Sequence, residues 1–263
     1  MKENRFELET IGARQVNSSY DRRVVVLAGL GGSTSSELQS VSSTLLIPVG
    51  ATEQHGPHLP LDTDTRIATA VAGAVAERLG AAAGDQQWLV APAIAYGDSG
   101  EHQSFAGTVS IGTEALAMVL TEYGRSASCW AQRLVFVNGH GGNVTALVRA
   151  VRRLRSEGRD VGWCACAVRG ADAHAGHTET SVLLHLCPTE VLTDRCCAGN
   201  GAPLAELMPS MRRGGVAAVS EVGVLGDATT ATAADGKRIF AEMVAGCIQR
   251  IMRWVPEADG MLV

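Results

Sequence analysis

Four short stretches of this chain concentrate imidazoles and carboxylates beside glycines, and all seven histidines lie between positions 55 and 185. The first runs from Gly50 to Asp64 and carries Glu53, His55, His58 and Asp64. Glu53 and His55 are two apart, so on an extended chain they project to the same side. Asp64 follows a loop containing Gly56, Pro57 and Pro60, at the start of a helical pattern. Two carboxylates and an imidazole suit a borderline-hard divalent ion such as Zn, Mn or Fe. An aspartate able to bridge suits two such ions close together. A polar turn followed by an Asp helix cap accounts for the same residues as well.

The second stretch, Val135 to Asn143, is an apolar run leading into His140, which is flanked by Gly139, Gly141 and Gly142. Glycines there let backbone approach a ligand closely, with a helix N-terminus just beyond. The competing reading is a glycine-rich turn with an incidental histidine. The third, His174 to Ser181, pairs His174 with Glu179, the chemistry of a ligand and a proton shuttle. Thr178 with acid in the next turn also reads as a helix cap. The fourth, Gly97 to Thr108, offers His102 as a residue lining a site or as a loop histidine satisfied by backbone. His58 is expected near the site or in the loop, and His185 on a packed helix face.

The elements that must hold these stretches alternate. Strands are expected at Thr44–Val49, Leu89–Tyr96, Arg133–Val137 and Val161–Val168. Helices are expected at Thr65–Leu79, Thr113–Trp130, Asn143–Ser156 with Asn143 as cap, Thr178–Leu186 and Ala234–Trp254. Residues 194–232, rich in Gly, Pro, Ala and Thr, are expected to hold little regular structure. Repeated β-then-α units imply an α/β fold, a mostly parallel sheet with helices on both faces, and a ligand site at the strand carboxyl ends. The chemically loaded stretches fall just after apolar runs, where that rule puts them.

Composition narrows the functional classes. Of 263 residues, 46% are apolar, enough for a large core, and the net charge of −5 leaves no basic footprint for nucleic acid. No apolar run reaches the roughly 18 residues of a membrane span, and no secretory signal is visible, so a cytoplasmic enzyme is expected. The seven cysteines form no regular framework and read as reduced thiols. Phosphate-loop, dinucleotide, nucleophile-elbow and His-Glu-x-x-His patterns are absent.

Together, Glu53-Gln54-His55-Gly56-Pro57-His58-Leu59-Pro60 with Asp64, Asn138-Gly139-His140-Gly141-Gly142-Asn143, and His174-Ala175-Gly176 with Glu179-Thr180-Ser181 resemble the creatininase family. The resemblance implies a three-layer α/β/α fold, a homo-oligomer and an amide hydrolase with a centre of two divalent metals (Zn, Fe or Mn). By motif, Glu53, His55, Asp64, His140 and Glu179 become metal ligands with Asp64 as the bridge, and His174 the proton shuttle, Glu179 sharing the catalytic role. Creatininase has Tyr-Glu where this chain has Gly141-Gly142, which assigns the missing carboxylate to Glu179 and disfavours creatinine. The likeness continues through Ser210–Val216 and Gly223–Asp227 to Trp254. It implies a peptide substrate, a radical-enzyme-modified precursor cleaved near its C-terminus to release a Val–Tyr-derived core. His102, Arg212 and Arg213 are expected to bind it, the arginines through a carboxylate; a solvated basic pair is the alternative. Residues 1–20 are expected as a polar tail before a single domain spanning 21–263. Hydrolysis of a small cyclic amide or formamide, or a silent scaffold role, are the rival functions.

Overall fold

The computed structural model describes residues 29–39, 42–82 and 86–263; the expected N-terminal tail lies outside them. The sheet has four parallel strands in the order β2-β1-β3-β4: β1 Ser43–Val49, β2 Gln87–Val90, β3 Arg133–Asn138 and β4 Val161–Ala165. Every residue of β1 is buried. Its unbroken apolar run, without alternation, is what a strand covered on both faces requires.

Among the described residues are seven α-helices: α1 Ser35–Leu38, α2 Thr63–Ala82, α3 Gly112–Ala127, α4 Val144–Ser156, α5 His177–Leu186, α6 Leu204–Gly214 and α7 Ala233–Arg253. They form two layers. Helices α2, α5 and α7 cover one face through a core including Val71, Val75, Val182, Val244 and Ile251. Helices α3 and α4 cover the other through Leu116, Leu120, Leu147 and Leu154, packed on Leu45, Ile47 and Phe136. The expected three-layer α/β/α architecture is therefore observed.

Four expectations need correction. Strand β2 stops at Val90 rather than Tyr96, because Pro92 lacks an N–H; Ile94 alone bridges back to Val49. Strand β4 stops at Ala165 rather than Val168, because its last ladder bond, from Cys166 N to Asn138 O (2.8 Å), reaches the end of β3. Asn143 does not cap α4; its amide donates to Gly50 O and Asn138 Oδ1 and its oxygen accepts from Asp98 N. Finally, residues 194–232 contain α6, which places Leu204, Met208 and Met211 on one face despite Pro209 inside it.

The chain ends in a clip on the sheet. Trp163 N donates to Gly260 O (3.1 Å) and Leu262 N to Trp163 O (2.8 Å), with Leu262 fully buried. The outer edge of β4 is thereby covered. All seven cysteines are free; Cys164 and Cys247 lie with sulfurs 3.5 Å apart in the core.

Candidate metal centre

The turns that leave β1 and β3 meet at the carboxyl end of the sheet. Gly139 N donates to Val49 O (2.8 Å), and a Cβ at Gly139 would overlap the backbone carbonyl of Asp64. Only glycine lets the two turns touch there. The loop after β1 folds back through Glu53 N to Leu61 O (2.9 Å), which brings Asp64, in the first turn of α2, under Glu53 and His55. From the opposite side come His174 and α5. His174 is pinned antiparallel to Leu225, and Ala175 beside it adopts a positive φ of 51°. Such backbone is held only where the surroundings over-determine it.

These turns bring Glu53, His55, Asp64, His140 and Glu179 together. Asp64 Oδ1 lies 3.2 Å from His55 Nε2, and Asp64 Oδ2 lies 3.3 Å from His140 Nδ1. The two oxygens thus face two different donor sets, Glu53–Asp64–His140 and His55–Asp64–Glu179. A third set, Glu53–His55–His174, overlaps both. Asp64 is therefore not a helix cap. Nor is Thr178 the cap of α5; the N–H groups of His177 and Thr178 are taken by the Asp172 carboxylate.

Each imidazole is oriented by its outer nitrogen. His55 Nδ1 donates to Glu53 O (3.1 Å) and His140 Nε2 to Asp98 O (2.8 Å). The shorter of the contacts at His174 Nε2, to Gln54 O (2.8 Å), makes that nitrogen the donor too. Their lone-pair nitrogens then point inward at carboxylates, the arrangement of ligating histidines held by carbonyls behind them. His102 is different. The Gln54 amide, its oxygen held by Gly56 N, donates to His102 Nδ1 (2.8 Å). His102 Nε2 must then carry the hydrogen; it lies 3.4 Å from Glu53 Oε1 without forming a hydrogen bond to it.

The charge balance asks for a cation. Both Glu53 oxygens and Asp64 Oδ2 are buried without a hydrogen-bond partner, and the ionic neighbours of Glu53, Asp64 and Glu179 among the described residues are histidines alone. Buried charge so arranged is costly unless compensated. Burial pushes His55 down, but Asp64, Glu179 and Glu53 raise it to about 10. His140 is likewise raised, against burial, by Glu53 and Asp64. Burial lifts Glu179 to about 7, while His55 opposes the rise. Burial and the nearby His55 and His102 hold His174 well below its ordinary value, so it is a neutral imidazole. A divalent cation would supply the positive charge that His55 and His140 otherwise carry as protons. The residues therefore fit a metal.

The remaining candidates fall around this cluster. His58 is buried and bonded to Thr180 Oγ1 (2.8 Å), half-buried His185 packs near Phe240, and half-buried His177 turns to Thr230. Arg212 and Arg213 end α6 at the mouth of a neighbouring cavity. Three contributors went unread in the sequence: Gln54, which braces two histidines; Glu101, whose signal was its place beside His102; and the apolar face of α6. Glu101 Oε1 would sit 3.0 Å from a Cβ at position 142, and such a Cβ would also overlap Asp98 O and His140 Nε2. No side chain fits at 142 on this backbone.

Comparisons agree with this geometry. The family model described as creatinine amidohydrolase matches residues 32–251. The mycofactocin precursor peptide peptidase of Mycobacterium tuberculosis (strain CDC 1551 / Oshkosh) is 69% identical over 250 residues, covering 94% of this chain and all of that protein. A manganese form of creatininase superposes with a TM-score of 0.71 at 28% identity, covering 88% of this chain and 99% of that one. A Zn–Zn form of a creatininase mutant gives the same values. With the motif stretches, the layered fold and the donor cluster all in place, this chain belongs to the creatininase family, the creatinine amidohydrolases.

Proposed function

We propose that this chain is a metal-dependent peptidase that cleaves the modified mycofactocin precursor peptide near its C-terminus, releasing a Val–Tyr-derived core. The observation that carries the reading is the buried Asp64 carboxylate facing two donor sets, with Glu53 unpartnered beside it. The peptide itself comes from the name of the mycobacterial relative. Glu53, Asp64 and His140 would hold one divalent ion and His55, Asp64 and Glu179 a second. When bound, such ions lower the pKa of a water from 15.7 to about 7 and polarise a carbonyl.

The protein's own groups do the rest. Gln54, Asp98 and the backbone of Glu53 hold the imidazoles in one tautomer. His102, fixed by Gln54, lies beside Glu53 with its Nε2 3.4 Å from Oε1. His174, neutral and with Nδ1 turned inward 3.7 Å from Glu53 Oε1, takes up a proton there and hands it to the leaving nitrogen. The cavity over the centre, about 320 Å³, is walled by Leu204, Met208, Met211 and Leu225, which exclude water around an apolar peptide segment. Zn, Fe and Mn all suit the donors, and the solved relatives hold Mn in one case and Zn in another. A cytoplasmic homo-oligomer is the setting we propose; no described helix is long and apolar enough to cross a membrane.

The test is metal content of the purified protein, with mass spectrometry of the maturase-modified precursor after incubation. About two equivalents of divalent metal and loss of a C-terminal fragment are expected. Metal without cleavage would redirect the search to small cyclic amides or formamides, and neither would leave a scaffold.

A further inference from the structure

Between His174 and Glu179 the chain makes a turn that is held from three directions. Ala173 N and His174 N donate to Leu225 O, and His174 O accepts from Leu225 N (2.8 Å). Ala175 N donates to Glu179 Oε2 (2.6 Å). The N–H groups of His177 and Thr178 donate to Asp172 Oδ2 and Oδ1, the second at 3.0 Å. Ala175 holds a φ of 51° with its methyl fully buried, a conformation that alanine rarely adopts. Two glycines from separate segments make room for the Asp172 carboxylate. A Cβ at Gly176 or at Gly226 would overlap Asp172 Oδ2. The carboxylate therefore sits where the turn, the start of α5 and the Leu225 segment meet.

We propose that Asp172 is the positioning residue for the proton shuttle. Its carboxylate fastens the first turn of α5 to the segment that carries His174, and so fixes His174 against the donor cluster. The inference rests on the peptidase reading and names the group that keeps His174 in reach of the leaving nitrogen. In that hydrolysis the C–N bond breaks, a C–O bond forms from water, and the nitrogen leaves with a proton that His174 delivers. Glu179 Oε2 holds the same turn from the inside. That oxygen also lies 3.8 Å from His55 Nε2 within a donor set, so its hold on Ala175 is shared with the centre. Asp172 belongs to none of the three donor sets. Its hold stays the same whatever the centre binds. It borders the cavities on either side of the turn, yet both oxygens are turned onto helix N–H groups. Asp172 thus acts through the turn rather than on substrate, where a carboxylate suits the positive end of α5.

The experiment compares Asp172→Asn and Asp172→Ala with Thr232→Ala, which removes the hydroxyl that caps α7 by accepting from Asp235 N (3.0 Å). One readout is kcat and KM for the maturase-modified precursor. A second is turnover of p-nitrophenyl acetate by the metal-loaded chain, because its phenolate leaves without needing a proton. The third is the imidazole N–H signal of His174 in the metal-free chain, by nitrogen-15 NMR. The Asp172 variants should lose about 10- to 100-fold in kcat on the precursor with KM held, the range for a residue that orients another. Asn, which keeps one acceptor, should lose less than Ala, and the ester should be cleaved at close to the parental rate. The His174 N–H, bonded to Gln54 O (2.8 Å) in the parent, should shift or broaden in both and stay in place in Thr232→Ala. Equal losses on precursor and ester, losses matched by Thr232→Ala, or an unmoved His174 signal would each overturn the positioning role and leave Asp172 a helix cap. A His174 signal that moves as expected in a chain that leaves the precursor intact would instead keep the positioning role and remove the peptidase reading.

Discussion

The wall of the central cavity that carries Glu53, His55, Asp64 and His140 and the wall made by α6 are built by opposite means. On the first, the four donors are at most 5% exposed and each imidazole is fastened to a backbone carbonyl at the end of a strand or turn. The sheet beneath them is shared by two large cores. The second wall rests on a small separate cluster of Leu207, Val216 and Leu225, with Phe105 and Met211 against it. Helix α6 carries a proline inside and ends on Gly215 at φ 69°. The chemistry we propose, which tolerates little displacement, thus sits on the rigid wall, and the proposed peptide-receiving side on the one with fewer constraints.

The contrast predicts how each side fails. Asp64→Asn removes the group both donor sets share, so bound metal should fall and kcat should drop beyond about 100-fold, the upper end for a residue that only orients a donor. Metal analysis with turnover decides it; full loading with near-normal kcat would dissolve the shared centre. Gln54→Leu should leave metal content unchanged while costing about 10- to 100-fold in kcat, because it frees His102 beside the centre without removing a donor. On the α6 side, Met208→Ala should raise KM roughly 10-fold with kcat held, the signature of lost apolar contact.

Two further outcomes depend on pH. His55 is raised to about 10 and His140 is raised as well, so near neutrality a metal must displace protons. Apparent metal affinity should therefore climb from pH 6 to 9, with protons released on loading in weak buffer. A flat affinity would place the metal elsewhere. The smallest effect belongs to His58, which burial lowers to about 4. The unfolded chain takes that proton near 6.5 and the folded one refuses it, so the share of stability that His58 contributes in the metal-free protein is lost as pH falls from about 6.5 to 4. Thermal unfolding of His58→Gln across that window should fall less with acid than that of the parent protein; equal slopes would remove His58 from the account.

The rigid wall was the legible one. Glu53-x-His55 at a strand end and His140 between glycines announce themselves because metal chemistry restricts residue type. Glu179 of α5, which the motif offered as a ligand, does fall within the cluster, although the first N–H groups of α5 are taken by Asp172, too far back in sequence for a capping pattern to reveal. Helix α6 was illegible for a physical reason. Its apolar residues bury against one small cluster rather than the sheet, and Pro209 cancels the local propensity that would have marked it. The long reach of Asn143, which ties Gly50 and Asp98 to the β3 turn, exists only once three loops have met. Arg212 and Arg213 were visible as charges, but only the fold shows that a carboxylate at Glu101 stands between them and the centre.

The clip formed by Gly260 and Leu262 on Trp163 has a consequence in time. The ribosome makes β4 about a hundred residues before the segment that covers its edge, and until then Trp163 offers an unpaired N–H and C=O to any passing strand. Covering of the sheet edge therefore waits for the segment around Gly260. A chain cut just before Gly260 should keep every donor of the metal centre and yet aggregate in the cell.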